Sequence, residues 1–358
     1  MNNLIRRYSF DQACFENLLK LKKTISISLK GKYLPLVIDR TLSSFGMKDL
    51  PNVLFLTNEK FNKNILDVVK KNACFLKKSD LELFEEEVQQ VEKSVSIEEQ
   101  VFILQSVLKV QAIQRLDLSC QRIIKCLENK SKEYPNVSVP LRKNLKDYGV
   151  MSWNKAIGCY ASSFYEATQL RSASCLCATF NSPSLLEANA YCMEELKGSL
   201  RETFNVSFRN SDNPLASIGL RNDLLAAYNF AEMVAVALRK LAKDFRLLCS
   251  GPRAGINQVS LPALAPGSSI MPGKVNPVIL EIAMSGADQI NSGHLGLVMS
   301  ISAGWLELDS QPVTAVRSLF LGCELLASTI DNLIEKCLSG MTPNQDQCEE
   351  LCQRIRSK

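Results

Sequence analysis

The spacing of apolar residues changes character after Glu99. Beyond it, Ile113, Leu116, Cys120, Ile123 and Leu127 follow one another at intervals of three and four, which lays them along one stripe of a helix. A second helix is predicted from Asn222 and Asp223, where Leu224, Ala227, Ala231, Val234, Leu238, Leu241, Phe245 and Leu248 keep that alternation without a miss. Gly251-Pro252 ends it. A third is predicted to begin at Pro277 and to run through Val278 to Met284 and past Leu295, with Ala, Gly and Ser suited to close packing in a bundle centre. The pattern predicts an all-α fold of long bundled helices. The first hundred residues say less: basic and acidic patches alternate (Lys20 to Lys23, then Glu82 to Glu87), and Val53 to Leu56 predicts a short strand.

Composition agrees with this reading. The 358 residues are 46% apolar and only 7% aromatic, an aliphatic balance that favours packed helices. A net charge of +5 is too mild for a nucleic-acid surface, though it tolerates a small anionic substrate. Met1 to Phe10 is polar and basic with no apolar run behind it, and no stretch is long and apolar enough to span a bilayer. Neither a nucleic-acid nor a membrane partner is expected, and the expected location is cytoplasmic. The 13 cysteines form no regular framework and predict reduced thiols filling core gaps; Cys175 and Cys177, in a chain with one histidine, are not expected to form a metal site.

Chemistry concentrates in one loop, Gly267-Ser268-Ser269-Ile270-Met271-Pro272-Gly273-Lys274-Val275-Asn276-Pro277. Two glycines allow tight backbone geometry and two prolines stiffen it. Asn276 is a good N-cap and Pro277 a good first helical residue. The loop thereby carries hydroxyls and an ammonium toward a helix N-terminus, where free N–H groups favour a carboxylate. A Gly/Ser/Pro connection capped by asparagine is also an ordinary loop, and the residues alone leave both readings open.

This run resembles the third conserved region of the aspartase/fumarase superfamily. Ser250-Gly251-Pro252-Arg253-Ala254-Gly255-Ile256-Asn257-Gln258 before it resembles aspartate ammonia-lyase more than fumarase. Trp305-Leu306-Glu307-Leu308 with Pro312, and Gly340-Met341-Thr342-Pro343-Asn344, follow the same pattern. The likeness is strong from about Leu238 to Asn344, weaker back to about Val101, and absent earlier. It implies a long-helix bundle of the aspartase/fumarase type whose small C-terminal domain is missing. The implied division is a divergent N-terminal domain over 1–100, the central bundle with the serine loop over 101–345, and a tail over 346–358. The implied reaction is β-elimination of ammonia or water from a succinyl-type amino or hydroxy acid to give fumarate, with no metal or organic cofactor. A homotetramer whose sites each draw on three subunits is implied as well.

Carried over by position, Ser268 matches the base that takes the Cβ proton, with Lys274 and Asn276 holding a carboxylate as it gains negative charge. Ser269 joins them in contacting substrate. Glu281 matches a carboxylate behind the reacting groups; a helix charge balancing the dipole is the plainer reading. Elsewhere the pattern breaks. The family's Thr-His-Leu-Gln-Asp run is Lys143-Asn144-Leu145-Lys146-Asp147, so Asn144 stands for the histidine and cannot take up a proton. The family's Gly-Thr-Ala-x-Gly-Thr-Gly run becomes Cys175-Leu176-Cys177-Ala178-Thr179-Phe180, and of the Leu-Asn pair next to it only Asn181 is kept; the resemblance places Asn181 and Asn144 among the groups contacting substrate. Ser94-Val95-Ser96-Ile97-Glu98-Glu99 lacks the first region's asparagine. His294, inside the third helix, matches no catalytic position and is expected in a core or interface. Three readings stand: a lyase with an altered pocket, an inactive homologue acting as a structural or regulatory subunit, or a chain supplying the Ser268 loop to a hetero-oligomer with a homologue.

Overall fold

The computed structural model describes residues 10–28, 30–44, 67–95, 97–180, 190–264, 275–304, 306 and 313–357. Helices dominate. They are α1 (Phe10–Ser28), α2 (Tyr33–Ser44), α3 (Lys78–Ser94), α4 (Ile97–Glu133), α5 (Trp153–Leu170), α6 (Ala173–Leu176) and α7 (Ala190–Phe204). They continue with α8 (Pro214–Gly219), α9 (Asn222–Leu248), α10 (Val278–Ser302), α11 (Val313–Lys336) and α12 (Gln345–Arg356). Short two-stranded sheets interrupt the helical pattern: β1 (Ser138–Lys143) with β2 (Lys146–Ser152), β3 (Cys177–Phe180) with β4 (Ser207–Asn210), and β5 (Val259–Ser260) with β6 (Thr342–Pro343).

The predicted stripes are core. Ile113, Leu116, Cys120, Ile123 and Leu127 of α4 are buried, as is the α9 series from Leu224 to Phe245, and Leu248 is half-buried. The third helix starts at Val278, one residue after the expected proline, with the Leu280 N–H bonded to the Pro277 carbonyl. In the first hundred residues, α1, α2 and α3 form where the sequence showed only alternating charge patches. The strand expected at 53–56 lies outside the described residues. Among the described residues no helix is long and apolar enough to cross a membrane.

The chain resolves into two compact units. In the first, built from described residues of 1–113, 172–227 and 295–321, α1 packs on α2, α3 and α7. The Glu87 carboxylate accepts from the backbone N–H groups of Lys32 (2.7 Å), Tyr33 (2.9 Å) and Leu34 (2.8 Å). It thereby satisfies donors at the start of α2 that the helix leaves unpaired, and its charge complements the dipole. Lys109, fully buried on α4, donates to Asp223 Oδ2 at 3.0 Å and to the Cys177 carbonyl at 3.2 Å. Arg221 Nε reaches the other Asp223 oxygen at 3.2 Å while its guanidinium lies over the Phe102 ring. Burial alone would raise the Asp223 pKa; Arg221 and Lys109 outweigh it and hold the carboxyl below the usual carboxylate range.

The second unit holds described residues of 114–171, 228–294 and 322–358. Here α12 packs across the β1–β2 hairpin. Parts of α9, α10 and α11 approach closely enough that two glycines have a steric reason. A Cβ on Gly322 would lie 2.6 Å from Ile290 Cδ1, and one on Gly293 would collide with the Tyr228 hydroxyl, which donates to the Ile290 carbonyl at 2.9 Å. Cys120, Cys337, Cys348 and Cys352 are free thiols buried in this unit. Burial pushes the Cys337 thiol up to about 12 and Cys348 to about 11, so both behave as small core hydrophobes.

Candidate functional site

Of the residues that the sequence singles out, Ser268, Ser269, Lys274 and Asn181 lie outside the described residues. Asn144, Asn276 and Glu281 are described, and all three belong to the second unit.

Asn144 sits at the tip of the β1–β2 hairpin. Lys143 pairs with Lys146, leaving Asn144 and Leu145 as a two-residue turn with φ of 51° and 63°. Such a turn needs the left-handed region at both positions, which asparagine tolerates better than most residues. The residue standing for the family's histidine therefore has a local backbone reason to be asparagine. Leu145 beside it is 72% exposed.

Asn276 lies two residues ahead of α10, which begins at Val278. The Asn276 carbonyl accepts from the Val278 N–H at 2.8 Å. Glu281 lies in the first turn, where a carboxylate is favoured by the dipole, and Arg246 in the last turn of α9 holds it through Nη2 to Oε1 at 2.8 Å. The two side chains are 41% and 48% exposed, so water screens the pair. Arg246 is a partner that the sequence reading missed: it stands 35 positions away, and no helical spacing links the two.

Asn144 shares a cavity with Tyr160, Lys240 and Asp244, and neither Asn276 nor Glu281 lines it. Within it, the Tyr160 hydroxyl donates to Asp244 Oδ2 at 2.8 Å, and Lys240 pairs with the same oxygen. Burial, followed by this bond, pushes the tyrosine well above its usual pKa, so it stays a donor. Lys240 and Asp244 are four apart on α9, which fits a helical ion pair.

The remaining altered segments have clear placements. Val95 caps the end of α3, and the Gln100 amide donates to its carbonyl at 2.8 Å. Glu99 is buried. Cys177 to Phe180 form β3, parallel to β4. His294 lies half-buried on α10, its Nδ1 2.9 Å from Glu232 and its ring edge-on to Tyr228.

Residues 56–291 match a protein-family model described as "Lyase". Over 117 residues the chain is 47% identical to an aspartate ammonia-lyase of Pseudomonas canavaninivorans, covering 33% of this chain and 25% of that one. Over 116 residues it is 40% identical to the aspartate ammonia-lyase of Escherichia coli K12, covering 32% and 24%. The matched stretch thus spans about a quarter of these curated relatives' length. Among solved structures, a fumarate lyase:delta crystallin from Brucella melitensis superposes with a TM-score of 0.83 at 22% identity, over 98% of this chain and 84% of that one. A class II fumarase from Schistosoma mansoni gives 0.83 at 22%, over 94% and 78%. At these identities the likeness establishes the fold.

Proposed function

The chain belongs to the lyase family of the aspartase/fumarase type, and on that premise we propose that it catalyses β-elimination from a succinyl-type, aspartate-like acid to give fumarate. Ser268 takes the Cβ proton; Lys274, Asn276 and Ser269 hold the carboxylate on which negative charge develops, and Glu281 stands behind them. The observation that carries this reading is the unbroken run from Gly267 to Pro277 within the matched region, leading into a helix that begins at Val278 and holds Glu281 in its first turn. The stretch of strongest likeness to aspartate ammonia-lyases favours ammonia as the leaving group. No organic cofactor or metal enters this scheme.

Asn144 favours a second form of the same chemistry. An asparagine fixed in a hairpin turn offers no proton acceptor, so a partner chain bearing the histidine would complete the site. That is a hetero-oligomer with a homologue, in place of a homotetramer. Either assembly is supported by the start of α10 in the second unit, whose apolar side chains Val278 and Ile282 are 42% and 51% accessible. Replacing both Val278 and Ile282 with lysine is expected to shift the protein from an oligomer to a monomer in light scattering after gel filtration. An unchanged mass would remove α10 from the interface.

The assay is ultraviolet absorbance of fumarate with the purified chain and L-aspartate, then L-malate. Product from the chain alone supports a self-sufficient lyase. Product only after mixing with a histidine-bearing homologue supports the shared site. If neither mixture yields product, the elimination reading fails, leaving a structural or regulatory subunit.

A further inference from the structure

Behind the hairpin tip lies a cavity of about 360 Å³, at the small end of the range typical for ligand pockets, roughly 300–1,000 Å³. Its wall is uneven. Trp153 and Ile157 of α5, 1% and 2% exposed, join Met151, Leu248 and Ile256 in an apolar floor. The charged groups on the wall are Arg142, Lys240 and Asp244. Asp244 is committed, bonded by Tyr160 and paired with Lys240.

Arg142 is placed differently. Its Nη1 donates at 2.9 Å to the Gln258 side-chain oxygen, a neutral acceptor that is itself 3% exposed. Burial lowers the Arg142 pKa, and Asp147, opposite it in the hairpin ladder, offsets part of that cost. Once the Lys240–Asp244 pair is set aside, the one charge left among the lining groups is Arg142, partly offset by Asp147 outside the lining, and it presents a planar fork of donors beside an apolar floor. A carboxylate matches that fork, and an apolar body matches the floor. A dicarboxylate does not, because its second charge would be buried against Trp153 and Ile157 without a partner.

We propose that this cavity binds a small apolar monocarboxylate, with its head on Arg142 and its body on Trp153 and Ile157. The site is lined by neither Asn276 nor Glu281, and the proposal rests on neither the elimination reading nor the assembly. Occupancy would tie the hairpin bearing Asn144 to α5 and α9.

Trp153 supplies the readout, since the chain contains two tryptophans and Trp305→Phe leaves it alone. Hexanoate titrated into that variant is expected to change Trp153 emission saturably, with half-saturation on the order of 1 mM for so small a ligand. Hexanol and succinate should each bind at least about 10-fold more weakly, since one lacks the charge and the other carries a second. Adding Arg142→Met should cost hexanoate about 10-fold or more, and Arg142→Lys less, because the charge survives without the fork. The proposal is overturned by an unsaturable response, by hexanol matching hexanoate, or by an Arg142→Met protein of native circular dichroism that binds normally. If Arg142→Met does not fold, the comparison of the three ligands on the Trp305→Phe protein decides.

Discussion

Alanine at position 268 is expected to lower fumarate formation by about 10²–10⁴-fold, whether the chain works alone or in a mixed assembly. Under the proposed chemistry Ser268 Oγ is the atom that accepts the Cβ proton, and a methyl group cannot replace it. Lys274 and Asn276 remain in the variant, so carboxylate binding should survive and the loss should fall on kcat more than on KM. A control separates this from general damage to the loop. Glu281→Gln removes a carboxylate whose visible role is an exposed ion pair with Arg246, worth about 0–1 kcal/mol in stability. It is expected to leave thermal stability nearly unchanged and to slow turnover less than Ser268→Ala. Steady-state rates of both variants under one assay test the assignment. Equal losses would shift the chemistry away from the serine, and an undiminished Ser268→Ala rate would sink it.

How much of this was legible in the sequence depends on the range of the interaction. The α9 helix was readable end to end because a lengthwise-packed helix repeats its demand for apolar side chains at intervals of three and four. Its polar partners were not. Asp223 reads as a good first-turn residue, which it is, but Lys109 lies 114 positions away and no local pattern announces that contact. The Arg246–Glu281 pair was hidden for the same reason. At Asn144, comparison by position found a substitution in a catalytic run, while the backbone adds that the residue occupies a left-handed turn. The usual signal for that turn is an asparagine followed by glycine. Leucine stands there instead, so the hairpin went unread. In α1 to α3 the charge patches obscured shorter stripes that tertiary packing completes. Recognition of the serine loop rested on its residue order, and Ser268, Ser269, Lys274 and Asn181 fall outside the described residues.

The largest stability effect is expected from Asp223→Asn. The carboxylate sits between Lys109 Nζ at 3.0 Å and Arg221 Nε at 3.2 Å, and the lysine side chain is fully buried. Neutralising Asp223 leaves that ammonium without its carboxylate, although the Cys177 carbonyl remains as an acceptor. Breaking a buried pair from one side typically costs about 3–5 kcal/mol, a large share of the roughly 5–15 kcal/mol that holds a typical domain together. The urea midpoint should fall by about 1 M or more. Acid should reproduce the loss in the wild type. The folded chain holds Asp223 below the ordinary value of 3.8, so in the window beneath that value the unfolded chain binds more protons than the folded one. The stabilisation is therefore complete above about pH 5 and is lost as the pH falls through the folded pKa. In Asp223→Asn this component of the acid dependence should vanish, bringing the two proteins' midpoints closer together at low pH than at pH 7. Curves that stay parallel down to the acid limit would show that the Lys109–Asp223–Arg221 cluster contributes little, and a midpoint unchanged at pH 7 would show the same more directly.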